Sequence, residues 1–245
     1  SRTDFTGSLP ATIGCLVNLR YFYIYETSLS GTIPSTIGSL RKMQDLELSY
    51  SRFSGTLPET FGSLTSLSSV YLSNNFLTGH LPPDSFRNVA YLYLDYNKFS
   101  GPIPSLPRCW ELSLEHNQFQ GSLPDFSASK GLYYLYAGWN NFTGSLPSTL
   151  NNLLRLEELF LHDNSFTGSV PILNMRSLYS LKLDRNNLTG SLPSECMSSN
   201  LEEFWLNNNL LTRTLPSCLS KMTNLNTLSL GFNSFEGSLP QLTSL

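Results

Sequence analysis

The chain contains 245 residues with a formal net charge of −3, and 40% of its residues are hydrophobic against 13% charged. This composition excludes a disordered chain, the 16 Gly and 14 Pro argue against a helical bundle, and the negative charge disfavours a nucleic-acid-binding protein. No apolar run approaches the roughly 20 residues of a membrane-spanning helix, and no basic-then-apolar opening marks a signal peptide.

A short motif, x-[Leu/Ile/Val]-Pro, recurs along the whole chain at intervals of 20 to 24 residues. In all but one of its copies, where Arg213 stands, a Gly lies three residues before the Pro. We expect the Gly to permit a tight backbone turn and the Pro to start a return segment. The prolines are Pro10, Pro34, Pro58, Pro82, Pro104, Pro124, Pro147, Pro171, Pro193, Pro216 and Pro240.

A second motif, L-x-x-L-x-L-x-x-N, lies between successive prolines. Its alternating L-x-L centre predicts a half-buried strand, and one such strand can bury its leucines only by stacking on its neighbours. Successive strands then form a parallel sheet, about 4.8 Å apart. The ten copies start at Leu19, Met43, Leu67, Val89, Cys109, Leu132, Leu156, Leu178, Leu201 and Leu225.

The Asn that ends each copy is predicted to satisfy buried backbone groups at the turn. Thr27 and Ser51 replace it in the first two copies, so we expect a less regular N-terminal end. A large apolar residue follows two positions later in every copy and predicts an internal packing column. The predicted ladder is Asn75, Asn97, Asn117, Asn140, Asn164, Asn186, Asn209 and Asn233.

The units SLSGTIPSTIGSL, RFSGTLPETFGSL and NNFTGSLPSTLNNL resemble the plant-type leucine-rich repeat, L-x-G-x-I-P. Such repeats build the ectodomains of plant receptor kinases and receptor-like proteins, polygalacturonase-inhibiting proteins and algal or protist surface proteins. The resemblance implies an α/β solenoid, a right-handed superhelix with a parallel sheet on its concave face and short helical or irregular convex segments. We expect residues 1–245 to form one domain of about ten repeats, truncated at both ends without cysteine caps, within a longer protein.

In such a solenoid, positions three, five, seven and eight of each copy face the concave side. These positions carry ten of the 12 tyrosines and ten of the 18 acidic residues, against only two basic residues, Lys182 and Arg185. Tyr and Trp are typical of binding hot spots, and clustered acids attract a cationic partner. The predicted ligand-binding residues are Tyr91, Tyr93, Tyr96, Glu111, Glu115, Tyr134, Tyr136, Trp139, Phe160, His162 and Trp205.

The sequence therefore predicts a non-catalytic recognition module for a protein or peptide ligand that carries Lys or Arg, without nucleic-acid binding or membrane insertion. Strand propensity explains some of the tyrosines but not the acids. Three other functions remain open: a structural subunit of a larger surface complex, an inhibitor of wall-degrading enzymes, and ice binding. Ice binding requires regular Thr arrays, and the concave positions carry only Thr227.

Nothing in the sequence singles out a nucleophile, a metal site or a cofactor, so no catalytic, metal-binding or cofactor residues are predicted. Cys109 occupies a strand-core position and is expected to be a buried small hydrophobe. Cys196 and Cys218 lie in adjacent repeats, where stacking could bring them within disulfide reach, with two buried thiols as the alternative. Asn141 and Asn187 begin N-x-[Ser/Thr] triplets, which with the resemblance predict an extracellular or cell-surface glycoprotein.

Overall fold

A computed structural model describes residues 4–195, 198 and 200–240. The chain forms two compact units, divided between Gln120 and Gly121. We call them unit 1 and unit 2. Each unit contains two parallel sheets whose strands follow one another in sequence order. The predicted combination of a parallel sheet with short helical segments is confirmed, and the helices are five-residue 3-10 turns.

The first sheet of each unit consists of the three residues around the second leucine of every L-x-x-L-x-L-x-x-N copy. In unit 1 its strands are β2 (Tyr21–Tyr23), β4 (Asp45–Glu47), β6 (Ser69–Tyr71), β8 (Tyr91–Tyr93) and β10 (Glu111–Ser113). In unit 2 they are β12 (Tyr134–Tyr136), β14 (Glu158–Phe160), β16 (Ser180–Lys182), β18 (Glu203–Trp205) and β20 (Thr227–Ser229).

Neighbouring strands of the first sheet pair with the same motif positions opposite each other. Tyr71, for example, is opposite Tyr93, and Leu92 is opposite Leu112. The central leucines are buried, with Leu46, Leu92 and Leu159 fully inaccessible to solvent. Because the register is in phase, the residues at one motif position form a continuous column across each sheet.

The second sheet was not predicted. It follows the ladder Asn and includes the large apolar residue and the Gly. In unit 1 its strands are β1 (Thr6–Ser8), β3 (Ser28–Gly31), β5 (Arg52–Thr56), β7 (Phe76–Gly79), β9 (Lys98–Gly101) and β11 (Gln118–Gly121). In unit 2 they are β13 (Asn141–Ser145), β15 (Ser165–Gly168), β17 (Asn187–Gly190), β19 (Leu210–Arg213) and β21 (Ser234–Phe235).

The repeat prolines start the 3-10 helices of the return segments. Pro10, Pro34 and Pro58 each stand directly before a helix. The φ angle of each proline is near −70°, as the pyrrolidine ring imposes. The helices are η1 (Ala11–Cys15), η2 (Ser35–Ser39) and η3 (Glu59–Ser63) in unit 1, and η4 (Ser148–Asn152) and η5 (Ser217–Lys221) in unit 2. No helix in these described ranges has the length and hydropathy needed to cross a bilayer.

The Asn ladder forms as predicted. The side-chain amide of Asn75 donates to the carbonyls of Leu48 and Leu72 at 2.9 and 3.1 Å, and its Oδ1 accepts the N–H of Phe53 at 2.9 Å. One amide therefore joins its own repeat to the preceding one. The same bonds recur at Asn97, Asn117, Asn164, Asn186, Asn209 and Asn233.

The two repeats without a ladder Asn use hydroxyl groups instead. Thr27 Oγ1 lies 2.9 Å from Ser51 Oγ, and the N–H of Leu29 donates to Thr27 Oγ1 at 3.3 Å. Both hydroxyl side chains are buried. A hydroxyl group offers fewer donors than an amide, so these turns have fewer backbone partners than the Asn turns.

The packing column of large apolar residues is also confirmed. Phe99 and Phe119 are fully buried, and their rings stack with centroids 6.2 Å apart. The Gly that follows adopts a left-handed backbone: Gly55 has φ +76°, and a Cβ there would come within 2.9 Å of the Thr32 side chain. Arg213, which replaces this Gly in unit 2, adopts φ +70°.

Candidate ligand-binding face

The position before each ladder Asn, the eighth of the motif, has a left-handed backbone. Its φ angles lie between 51° and 57°, a region that costs an ordinary L-residue about 1–2 kcal/mol and that Asn tolerates best. Asn74 and Asn208 occupy two of these positions, but most of the others carry aromatic or charged residues. Those residues are Glu26, Tyr50, Tyr96, His116, Trp139, Asp163, Arg185 and Phe232.

The aromatic residues at this position lie outside the strands of the first sheet, and the bonds of their N–H groups to the next repeat do not depend on the side chain. Tyr50 and Tyr96 keep 59% and 52% of their surface exposed, and Phe232 keeps 83%. Strand propensity, which explains tyrosines inside the first sheet, therefore does not explain these rings. Residues held in sparsely populated conformations are enriched at functional sites, which makes this column a candidate for ligand contact.

In unit 1, four of the eighth-position residues, Glu26, Tyr50, Asn74 and Tyr96, help to line a groove with a volume of about 450 Å³. Its walls are aromatic rings and carboxylates from five successive repeats, and its floor includes small hydroxyl side chains. None of the described residues that line it is Lys or Arg. The lining residues are Tyr25, Glu26, Glu47, Ser49, Tyr50, Tyr71, Ser73, Asn74, Tyr93, Asp95, Tyr96, Ser113 and Glu115.

Ring stacking fixes the groove walls. Tyr71 and Tyr93 are opposite each other in the first sheet and stack with centroids 5.2 Å apart. Tyr96 stacks on the imidazole of His116 at 4.2 Å, with the two planes 17° apart. Such contacts contribute about 0.5–1.5 kcal/mol beyond area burial and hold the rings in one orientation before any ligand arrives.

Hydrogen bonds fix the groove carboxylates. Asp95 accepts bonds from the Ser73 hydroxyl at 3.0 Å, from the Ser113 hydroxyl, and from the Glu115 N–H at 3.2 Å. Glu47 accepts the N–H of Ser49 at 2.9 Å. The carboxylates are thus pre-oriented by neutral donors.

Of the five predicted residues in unit 1, Tyr93, Tyr96 and Glu115 line the groove. Tyr91 packs edge-on against Trp110 at 5.8 Å, and Glu111 accepts the hydroxyl of Tyr93. Burial, together with this hydrogen bond to Glu111, raises the pKa of Tyr93 above its usual range. The tyrosine therefore stays protonated and holds the carboxylate in place.

Three groove tyrosines, Tyr25, Tyr50 and Tyr71, are not among the predicted ligand-binding residues. All three belong to the ten tyrosines at the predicted concave positions. The register of the first sheet, in which Glu47, Tyr71 and Tyr93 are neighbours, identifies the group more directly.

Unit 2 brings its six predicted residues into a second cluster. Tyr134 and Tyr136 stack at 6.0 Å, and Tyr136 contacts the ring of Phe160 at 4.9 Å. His162 makes edge contacts with Phe160 and Trp139 at 6.4 and 6.3 Å. The sixth residue, Trp205, is opposite Lys182 in the first sheet.

Tyrosine–carboxylate pairs also occur in unit 2. The hydroxyl of Tyr136 donates to Glu158 Oε2 at 2.8 Å, and Tyr179 donates to the other oxygen. Burial, followed by the bond to Glu158, raises the pKa of Tyr136, whereas for Tyr179 the hydrogen bond to Glu158 is the main cause of a raised pKa. Burial likewise raises the pKa of Asp184.

In unit 2, the two basic side chains at the predicted concave positions lie on aromatic rings. Lys182 Nζ lies 4.1 Å from the ring centroid of Phe160 and 6.0 Å from that of Trp205. The guanidinium of Arg185 lies 5.9 Å from the ring of Trp139. Both contacts are within the range of cation–π attraction.

The remaining sequence predictions concern the cysteines and the glycosylation triplets. Cys109 is 1% exposed, as expected of a buried small hydrophobe, and burial raises the pKa of its thiol to about 12. The predicted Cys196–Cys218 bond involves Cys196, which lies outside the described residues. Asn141 and Asn187 are exposed at the starts of β13 and β17 in the second sheet.

The fold and the face together define a leucine-rich-repeat protein. A leucine-rich-repeat family model matches residues 41–99, and a second matches residues 18–40, 131–153, 177–199 and 200–222. The chain belongs to this family, and its repeats are of the plant type. A search of curated proteins found no match.

Solved structures of plant receptors are similar along almost the whole chain. The PEPR1–AtPEP1 structure is 30% identical over 97% of this chain and 38% of its own, with a TM-score of 0.82. The plant peptide hormone receptor RGFR1 in complex with RGF2 is 29% identical over 96% of this chain and 47% of its own, with a TM-score of 0.67. The present chain thus spans less than half of either receptor chain.

A plant ice-binding protein is also similar. It is 27% identical over 96% of this chain and 71% of its own, with a TM-score of 0.69.

Proposed function

We propose that this chain is a non-catalytic recognition scaffold of an extracellular or cell-surface protein, and that it binds a basic peptide or protein segment through its aromatic and acidic face. The observation that carries the proposal is the unit 1 groove, with tyrosines kept exposed on an unfavourable backbone beside carboxylates oriented by neutral donors. Stiff aromatic contact area and complementary charge are the features that give peptide interfaces their affinity and on-rate. The similar receptors PEPR1 and RGFR1 carry AtPEP1 and RGF2, which supports a peptide ligand.

The exposed sequon residues Asn141 and Asn187 support the extracellular part of the proposal. Both project from second-sheet strands, whereas the groove and the unit 2 cluster belong to the first-sheet motif positions. A glycan on either Asn would therefore leave the recognition residues uncovered within its own unit.

Panning a displayed peptide library against the secreted chain tests the proposal. We expect enrichment of Lys- or Arg-containing peptides that lose binding when Tyr50 and Tyr93 are both replaced by Ser. A matched double variant, Arg52→Ser with Lys98→Ser, changes exposed second-sheet residues of the same unit and should bind as the parent chain does. Enrichment that the tyrosine variant does not reduce, or no enrichment at all, would contradict the proposal.

Ice binding is a second candidate function. The second sheet of unit 2 repeats an exposed or half-buried Thr on each of four strands, Thr143, Thr167, Thr189 and Thr212. The concave positions lack such an array, but this second sheet supplies one, and the similar plant ice-binding protein gives it weight. An ice-recrystallisation assay of the unglycosylated chain tests this second function. We expect the chain to inhibit recrystallisation and Thr167→Lys to abolish the inhibition. Ice grains that coarsen as fast as in buffer would rule ice binding out.

A further inference from the structure

The groove of unit 1 combines negative charge with aromatic walls and has no positive side chain among its described lining residues. Asp95 and Glu47 lie in it, and their hydrogen bonds come from hydroxyl and backbone N–H groups rather than from cations. Carboxylates gathered around one concave space repel each other, and a cation placed between them would relieve that repulsion.

Unit 2 shows what the same repeat positions do when a cation is present. Lys182, at the fifth motif position, lies 4.1 Å from the ring of Phe160 in the preceding repeat. Its Nζ is also 3.8 Å from the carboxylate of Glu203 in the following repeat. The ammonium group is thereby held between a ring and a carboxylate that two neighbouring repeats provide.

At the eighth motif position, an arginine makes both kinds of contact with residues of the two preceding repeats. Arg185 extends toward the ring of Trp139 at 5.9 Å, and its Nη1 bonds the carboxylate of Asp163 at 3.2 Å. A planar guanidinium group suits both contacts at once, since it stacks on a ring and donates in its own plane. Two positions in unit 2 therefore bring a cation into contact with both an aromatic ring and a carboxylate.

The groove of unit 1 has rings at the same fifth and eighth positions with carboxylates nearby, but none of its described lining residues is Lys or Arg. Its fifth positions include Glu47 and Tyr71, and its eighth positions include Tyr50, Asn74 and Tyr96. We propose that the groove of unit 1 takes the Lys or Arg side chain of a ligand, which supplies from outside what Lys182 and Arg185 supply within unit 2. This inference rests on the proposed function and names the ligand group that the face selects.

N-acetyl-arginine amide and N-acetyl-citrulline amide are a matched pair of probes that isolates the charge, because they have nearly the same shape and differ in charge. We expect the arginine probe to shift the NMR signals of groove tyrosines and to bind roughly three- to thirtyfold more tightly than the citrulline probe, as the loss of one exposed cation–π contact and one exposed ion pair implies. The preference should weaken as salt is added, since the groove is open to solvent.

A substitution that places an arginine of the protein itself in the groove tests whether the probe binds there. Asn74 lines the groove with φ +57°, close to the +53° at which Arg185 stands, so Asn74→Arg fits the existing backbone. We expect this variant to abolish binding of the arginine probe while the far-ultraviolet circular dichroism spectrum stays unchanged. Asn208→Arg is the matched control, because Asn208 has φ +56° at the same motif position in unit 2, and this variant should bind as the parent chain does.

The possible outcomes distinguish failure of the cation groove from failure of the proposed peptide recognition. Equal affinity for arginine and citrulline, no measurable binding of either, or unchanged binding in Asn74→Arg would overturn the cation groove. Enrichment of neutral peptides that depend on the groove tyrosines would keep peptide recognition but overturn both the basic ligand and the cation groove. An arginine preference without any enriched peptide would keep the groove and remove peptide recognition.

Discussion

Replacing Tyr50 by Asn separates the stability of the fold from its recognition chemistry. Tyr50 stands at the left-handed eighth position with φ +53° and is 59% exposed. Tyr71→Asn removes a neighbouring groove ring that, unlike Tyr50, belongs to a strand: Tyr71 lies in β6 and stacks on Tyr93. If the tyrosines were kept only because aromatic residues suit strands, both substitutions would destabilise the protein.

The structure predicts very different costs for the two changes. At about 25 cal/mol per Å², losing the buried part of Tyr50 costs on the order of 1 kcal/mol, and the relief of the left-handed backbone returns about the same amount. Tyr71→Asn loses its half-buried area, a stacking contact worth about 0.5–1.5 kcal/mol and a strand preference of up to about 1 kcal/mol. We therefore expect almost no change for Tyr50→Asn and a loss of roughly 2–3 kcal/mol for Tyr71→Asn.

Thermal unfolding followed by calorimetry measures both effects. A loss of this size lowers the melting midpoint of Tyr71→Asn by roughly 5–10 °C, whereas that of Tyr50→Asn should stay within about 2–4 °C of the parent chain. Both variants should bind a cationic peptide more weakly. A midpoint for Tyr50→Asn as low as that of Tyr71→Asn would refute the reasoning, because the exposed ring would then be stabilising the fold.

Three further outcomes follow from the described contacts. Asn75→Ala leaves the N–H of Phe53 and the carbonyl of Leu48 without their partner and removes one of the two amides that bond the carbonyl of Leu72, so urea unfolding should show a loss of roughly 3 kcal/mol, and a loss below about 1 kcal/mol would contradict the ladder. Cys109, buried with a thiol pKa of about 12, should resist iodoacetamide in the folded chain and react in urea, whereas the exposed Cys15 reacts in both. Secretion from a eukaryotic host should add glycan mass that Asn141→Gln reduces by one chain, and an unchanged mass would refute that site.

The first sheet and the Asn ladder could be predicted because each depends on a side-chain pattern that recurs at a fixed period. Strand β8, for example, has Leu92 between two tyrosines, and Asn97 bonds the backbone of two repeats. The packing column around Phe99 follows from the same repetition. The period of the apolar residues in the sequence indicates which side chains are buried, so these features can be predicted without knowledge of the tertiary structure.

The second sheet could not be predicted, because its strands lack the usual hydrophobic alternation. In β5 the sequence Arg52–Thr56 contains one buried apolar residue, and Gly55 in a strand interior normally indicates a break. Pairing between equivalent segments, which stacking brings together, turns these segments into strands. Their sheet is a consequence of the solenoid rather than of local propensity.

The candidate site was only partly predictable for a related reason. The sequence identified the side of the sheet, but not that the eighth position is left-handed or that Asp95 is held by Ser73 and Ser113. It also did not show that Tyr93 would bond Glu111 in the adjacent strand. These contacts depend on side-chain geometry across repeats, which single positions do not encode.

The Asn ladder makes each repeat depend on the repeat that follows it in the chain. The N–H of Phe53 is satisfied by Asn75 of the next repeat, and that of Leu77 is satisfied by Asn97 of the repeat after it. Each turn is thus completed by its C-terminal neighbour through bonds that every Asn-bearing repeat can provide. One Asn-bearing repeat should therefore be able to replace another. Duplication or recombination of whole repeats would then lengthen the array and change its binding residues while the contacts between repeats stay the same.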